Sequence, residues 1–95
     1  METRKLSDLS GIGGAMLADF ELLGIRSVGQ LAEADPVELY ERLSELTHTR
    51  QDVGVLDTFR CAVAQARDPD LSMEKRNWWY WSRLRKAKAA EAQTD

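Results

Sequence analysis

Apolar residues recur along this chain three and four positions apart, and no window of four to eight residues alternates as a strand would, so the pattern predicts helices throughout. A short first helix is expected over residues 4–9. It runs into Ser10-Gly11-Ile12-Gly13-Gly14, where glycine permits backbone conformations closed to other residues, and a second helix continues to about Leu23 with Gly24 as its terminating C′ residue. Ser27 suits the N-cap of a brief helix through Val28, Leu31 and Ala32. The firmest start signal is Asp35-Pro36-Val37-Glu38: an acidic cap, proline at the first helical position and Glu38 placed to close a capping box. The helix that follows, residues 36–47, gathers Leu39, Tyr40, Leu43 and Leu46 on one face. A fifth helix, capped by Asp52, stripes Val55, Leu56, Phe59, Ala62, Val63 and Ala66. Cys61 falls almost opposite that stripe and is expected to be at least partly exposed. Asp68-Pro69-Asp70 interrupts the chain, Ser72 is placed to cap again, and a last helix is expected from Met73 into the Ala/Lys-rich tail, with residues 91–95 frayed.

Ninety-five residues, 43% hydrophobic and 31% charged, suit one domain with a modest core. The expectation is a compact all-α domain of five to six short helices over residues 1–88, with a frayed tail at 89–95. Apolar runs are only a few residues long and no leader pattern opens the chain, so no membrane span is predicted and a cytoplasmic location is expected. One cysteine and one histidine supply neither an intramolecular disulfide nor a zinc ligand set. The net charge of −3 is unevenly spread. Residues 31–57 hold seven acids against Arg42 and Arg50, whereas residues 75–88 hold six bases and no acid. The basic stretch suits a nucleic-acid or acidic-protein footprint, although the acidic whole argues against avid non-specific DNA binding.

The segment Leu6-Ser7-Asp8-Leu9-Ser10-Gly11-Ile12-Gly13-Gly14, followed by a helix ending in Leu22-Leu23-Gly24-Ile25, resembles a helix-hairpin-helix motif. The continuation through Ile25-Arg26-Ser27-Val28, Asp35-Pro36 and Leu39-Tyr40-Glu41-Arg42-Leu43 resembles the second unit of a tandem helix-hairpin-helix (SAM-like) domain. With Val55-Leu56-Asp57-Thr58-Phe59-Arg60 and Trp78-Trp79-Tyr80-Trp81 added, roughly residues 6–85 are similar to the small bacterial pathogenicity-locus or mitomycin-resistance proteins. The resemblance implies a turn that grips DNA backbone through the amides of Gly11, Gly13 and Ala15, with Gly14 in the same turn. It also implies a monovalent cation, K+ or Na+, on the carbonyls of Ser7, Leu9 and Ile12. A glycine turn at a helix N-terminus offers unpaired N–H groups to phosphate and reads no sequence. Three departures from the DNA-binding pattern stand out. Gly14-Ala15-Met16 lacks the lysine usual after the second glycine, the small inner-face residue comes late as Ala18, and Asp8 and Asp19 flank the turn with Lys5 and Arg26 as the nearest bases.

Three tryptophans and a tyrosine occupy positions 78–81. On a helix, Trp78, Trp81 and Leu84 share a face expected to be core, while Trp79 points elsewhere amid Lys75, Arg76, Arg83 and Lys86. That arrangement suits stacking on a base or sugar beside phosphate-neutralising charge, and equally suits an acidic partner helix or a simple packing role. No phosphate loop, nucleophile elbow or paired histidines are present, and His48 with Cys61 is a weak nucleophile and base pair, so no enzymatic activity is expected. The leading expectation is a sequence-independent DNA-binding accessory module, as a monomer or weak dimer, with a protein-interaction module as the alternative.

Overall fold

A computed structural model describes residues 2–93, and no strand occurs among them. A 3-10 turn at Leu6–Asp8 precedes α1 (Gly14–Leu23), α2 (Val28–Glu33), α3 (Pro36–Leu46) and α4 (Val53–Arg67); a second 3-10 turn at Glu74–Arg76 leads into α5 (Trp78–Gln93). The all-α, single-globule expectation holds.

The helix boundaries follow from backbone groups that need partners. Ser27 Oγ accepts the Gln30 N–H at 3.1 Å, Asp35 Oδ1 the Val37 N–H at 3.0 Å, and Asp52 Oδ1 the Gly54 N–H at 3.2 Å. Asp35 thus bonds the second helical amide rather than the third, as a capping box would require. Gly24, at φ +76°, ends α1 in a Schellman turn: its N–H donates to Glu21 O and that of Ile25 to Phe20 O. The same turn ends α3, with His48 at φ +53° where glycine is the usual occupant.

Two expected helices are altered. Residues 4–9 form only the single 3-10 turn; the segment is too short to nucleate a helix alone, and Arg4 is committed to capping α4 instead. The last helix does not start at Met73. Ser72 caps nothing there, and the chain turns extended at Asn77 (φ −106°, ψ 128°) before α5 begins. In an unbroken helix the Lys75 carbonyl would accept the Trp79 N–H. Here it accepts the Trp81 indole N–H at 2.9 Å and the Cys61 thiol at 3.6 Å. At the other end α5 is helical through Gln93. Thr94 and Asp95 lie outside the described residues.

The core sits where α4 meets α1, α2 and α3. Phe59, Ala62, Val63 and Ala66 of α4 pack with Leu9, Phe20, Leu23, Val28, Leu31, Leu39 and Leu43, and the Phe20 and Phe59 rings lie 5.8 Å apart. Leu46, expected on the core face of α3, is exposed, because α3 ends there and no element lies beyond it. Arg67 ties α4 to α2 by donating to Ala32 O and Ala34 O, the carbonyls left free at the end of that helix.

The main departure from the sequence pattern is that α4 is buried on two faces. Asp57, Cys61 and Gln65, at successive i+4 positions, form a polar seam opposite the apolar stripe. Cys61 is therefore 2% exposed, not surface-accessible as the lone stripe suggested, because α5 and the second 3-10 turn cover it. On α5 the face meeting this seam is that of Trp81, Ser82 and Arg85. Trp78 and Leu84, assigned to core by helical angle, are 49% and 36% exposed. The break at Asn77 lets α5 settle with a different face toward α4.

Candidate nucleic-acid interface

The glycine turn is built between a buried anchor and a helix start. Leu9 is in the core, the Ile12 N–H donates to Leu9 O at 3.4 Å, and Gly11 takes φ +81°, which a side chain rarely adopts. Gln65 clamps the turn from α4: its Oε1 accepts the Ser10 N–H at 2.9 Å while its Nε2 donates to Ser10 O at 3.0 Å. Gly11, Gly13, Gly14 and Ala15 are all exposed, and a Cβ built on any of the three glycines would meet nothing within 4 Å. The first α1 bond runs from the Leu17 N–H to Gly13 O, which leaves the amides of Gly14, Ala15 and Met16 without helical acceptors. The turn therefore presents a smooth surface at the positive end of a helix.

Its charged surroundings differ from those the sequence suggested. Arg4, Asp8, Ser10, Gln65, Asp68 and Arg76 line one cleft of about 100 Å3 beside the turn, so Arg76, remote in sequence, is brought next to it. Arg76 is tethered there, its Nε donating to Leu71 O at 2.6 Å. Arg4 caps α4 through Gln65 O and Ala66 O, and pairs with Glu2, whose carboxyl it holds down at about 2 by hydrogen bonding. Arg26 gives the turn no help. It follows α1 at the far end of a helix about 15 Å long, and its backbone N–H is bonded to Gln30. Lys5 is exposed and joins the turn only through neighbouring backbone, its N–H donating to Asp8 Oδ2 at 2.7 Å. Asp19 is half-buried, and burial raises its carboxyl above the ordinary value. Ala18 is exposed, so no close helix crossing depends on it.

Trp79 is 42% exposed, with the Arg83 guanidinium 4.4 Å from its ring centroid. Lys75 and Lys86 are exposed as expected, and Glu74 shares a shallow hollow with Arg83. From residue 86 to 92 α5 is exposed all round, which places its lysines on a projecting rod. His48 and Cys61 do not form a pair: His48 is exposed in the α3–α4 turn, while the polar contacts of Cys61 are Lys75 O and Gln65 Nε2. Gln65 and Arg4, which sequence reading passed over, are the residues that fix the turn. Gln65 carried only its i+4 spacing from Cys61 as a signal. No group of His, Cys, Asp and Glu suited to hold a metal ion occurs among the described residues, and no described helix is long and apolar enough to cross a membrane.

These features define a small all-α protein with an exposed, rigidly anchored glycine turn and a basic, aromatic last helix. The chain belongs to the pathogenicity locus family Cdd1, whose model matches residues 1–87. It is also similar to the mitomycin resistance protein McrB of Streptomyces lavendulae, at 40% identity over 81 residues that cover 85% of this chain and 73% of the relative. No solved structure matches the chain.

Proposed function

We propose that the protein is a non-enzymatic module that grips DNA backbone without reading sequence, through the Gly11–Ala15 turn, with Lys75, Trp79, Arg83 and Lys86 supplying a second contact. The observation that carries this reading is the turn itself: open amides at a helix start, no side chain over them, and an anchor in Gln65 that holds the loop before any ligand arrives. The helix-hairpin-helix resemblance of this segment points the same way. A K+ or Na+ ion on the carbonyls of Ser7, Leu9 and Ile12 belongs to the same reading. The Leu9 carbonyl already accepts the Ile12 N–H, and a carbonyl keeps a second lone pair with which it could hold such an ion. Replacing K+ by tetramethylammonium in the binding buffer tests the ion separately.

Fluorescence anisotropy of labelled single-stranded, duplex and junction DNA is the deciding measurement. Gly13→Glu, which places a carboxylate in open space beside the amides, is expected to abolish binding at an unchanged melting temperature, and Trp79→Ala to weaken it. Absence of binding to every form at low salt sinks the reading. A second reading, a protein-interaction module, is favoured by the hollow of about 370 Å3 between α2 and α3, lined by Glu33, Asp35, Glu38 and Arg42 with Ile25 and Leu39, which suits a basic peptide.

A further inference from the structure

A cavity of about 220 Å3 opens between α4 and α5, lined by Arg60, Trp81, Leu84, Arg85 and Lys88. Three of these five residues are cations and none is an acid. Arg85 is spoken for: its Nε lies 3.0 and 3.2 Å from the two carboxylate oxygens of buried Asp57, and its Nη2 lies 3.0 Å from Oδ2. Arg60 and Lys88 have no ion-pair partner among the described residues. The Nε of Arg60 is moreover buried with no hydrogen-bond partner. Native structures seldom leave a charged donor so, because it has given up water and received nothing in exchange. The rest of the lining is apolar and flat, supplied by the Trp81 ring, which its bond to Lys75 O holds in place, and by Leu84.

We infer that this pocket binds a small aromatic phosphate monoester, with Arg60 and Lys88 on the phosphate and the ring against Trp81. The size supports a one-ring ligand, since sites for drug-sized molecules run from roughly 300 to 1,000 Å3. A guanidinium and an ammonium lining the same apolar slot match a dianion better than a carboxylate. The inference does not rest on the glycine turn, which is held by Gln65 further along α4 and lines no part of this cavity. A free metabolite and the terminal phosphate of a nucleic-acid strand present the same chemistry here.

Phenyl phosphate, titrated into the full chain and followed by two-dimensional NMR, is the first probe. Saturable shifts are expected at the Arg60 Nε–H and the Trp81 indole N–H. Phenol should not reproduce them, and affinity should fall roughly tenfold in Arg60→Gln and in Lys88→Gln, the loss of one charge-assisted hydrogen bond. Lys88 is exposed, so its variant remains informative if Arg60→Gln fails to fold. Equal shifts with phenol, no saturation at millimolar concentration, or unchanged affinity in the folded variants overturns the inference. An end-phosphorylated strand that shifts the Arg60 signal where its hydroxyl-ended counterpart does not identifies a strand terminus as the source; phenyl phosphate binding without that difference identifies a free small molecule.

Discussion

Two single residues depart most from what their neighbours in sequence suggest. Burial pushes the Cys61 thiol up to about 11 from its ordinary 9.0, with the hydrogen bond from Gln65 opposing in part. The unfolded chain therefore loses this proton before the folded one does. The associated stability is present in full below pH 9.0 and is lost as pH rises from there to about 11. Urea midpoints of the wild type and of Cys61→Ala should keep a constant separation up to pH 9.0 and converge between there and about 11. His48 holds a left-handed conformation at the end of α3 with its side chain in solvent. Since glycine carries no Cβ penalty there but has more freedom to lose on folding, His48→Gly is expected to gain about 0.5–1 kcal/mol in the same measurement.

At the scale of elements, the seam along α4 decides how the parts assemble. Asp57 holds α5 through Arg85, Cys61 meets the carbonyl that breaks the helix before α5, and Gln65 holds the glycine turn. Removing Arg85 as Arg85→Leu strands a fully buried carboxylate. Hydrogen exchange should then quicken selectively in α5, leaving the amides of α2 and α3 protected, and an even acceleration through all helices would refute the latch. Gln65→Ala deletes both bonds to Ser10 and leaves its buried surroundings unsatisfied, at a cost of about 1–3 kcal/mol in urea denaturation. Because the turn loses its anchor, DNA affinity should fall by more than the small change in exposed surface explains.

For the whole molecule the question is whether charge or backbone amides dominate binding. Residues 31–57 are strongly acidic and Lys75–Lys88 basic, so one face repels a polyanion and the projecting α5 attracts it. With about three phosphate contacts from α5, the logarithm of the DNA association constant should fall against the logarithm of salt with a slope near −3. A slope near zero would assign the contact to the uncharged amides of the turn alone. Sequence reading found the turn, because glycine has few other uses at that spacing, and found the basic helix, because charge clustering is visible in one dimension. It named Arg26 among the nearest bases to the turn and grouped Arg76 only with Trp79, since a helix carries its two ends apart and a broken loop brings distant residues back.

The sequence by itself determined the helical periods, the caps at Ser27, Asp35 and Asp52 and the glycine stop at Gly24, because these are contacts within one or two turns of chain. Only the tertiary structure decided that Cys61 is buried, that Trp78 is not, that Gln65 anchors the turn and that Arg60 faces a cavity. Each of those follows from where α5 lies on α4, and that placement depends on a carbonyl at Lys75 bonding a side chain six residues on rather than the amide four residues on.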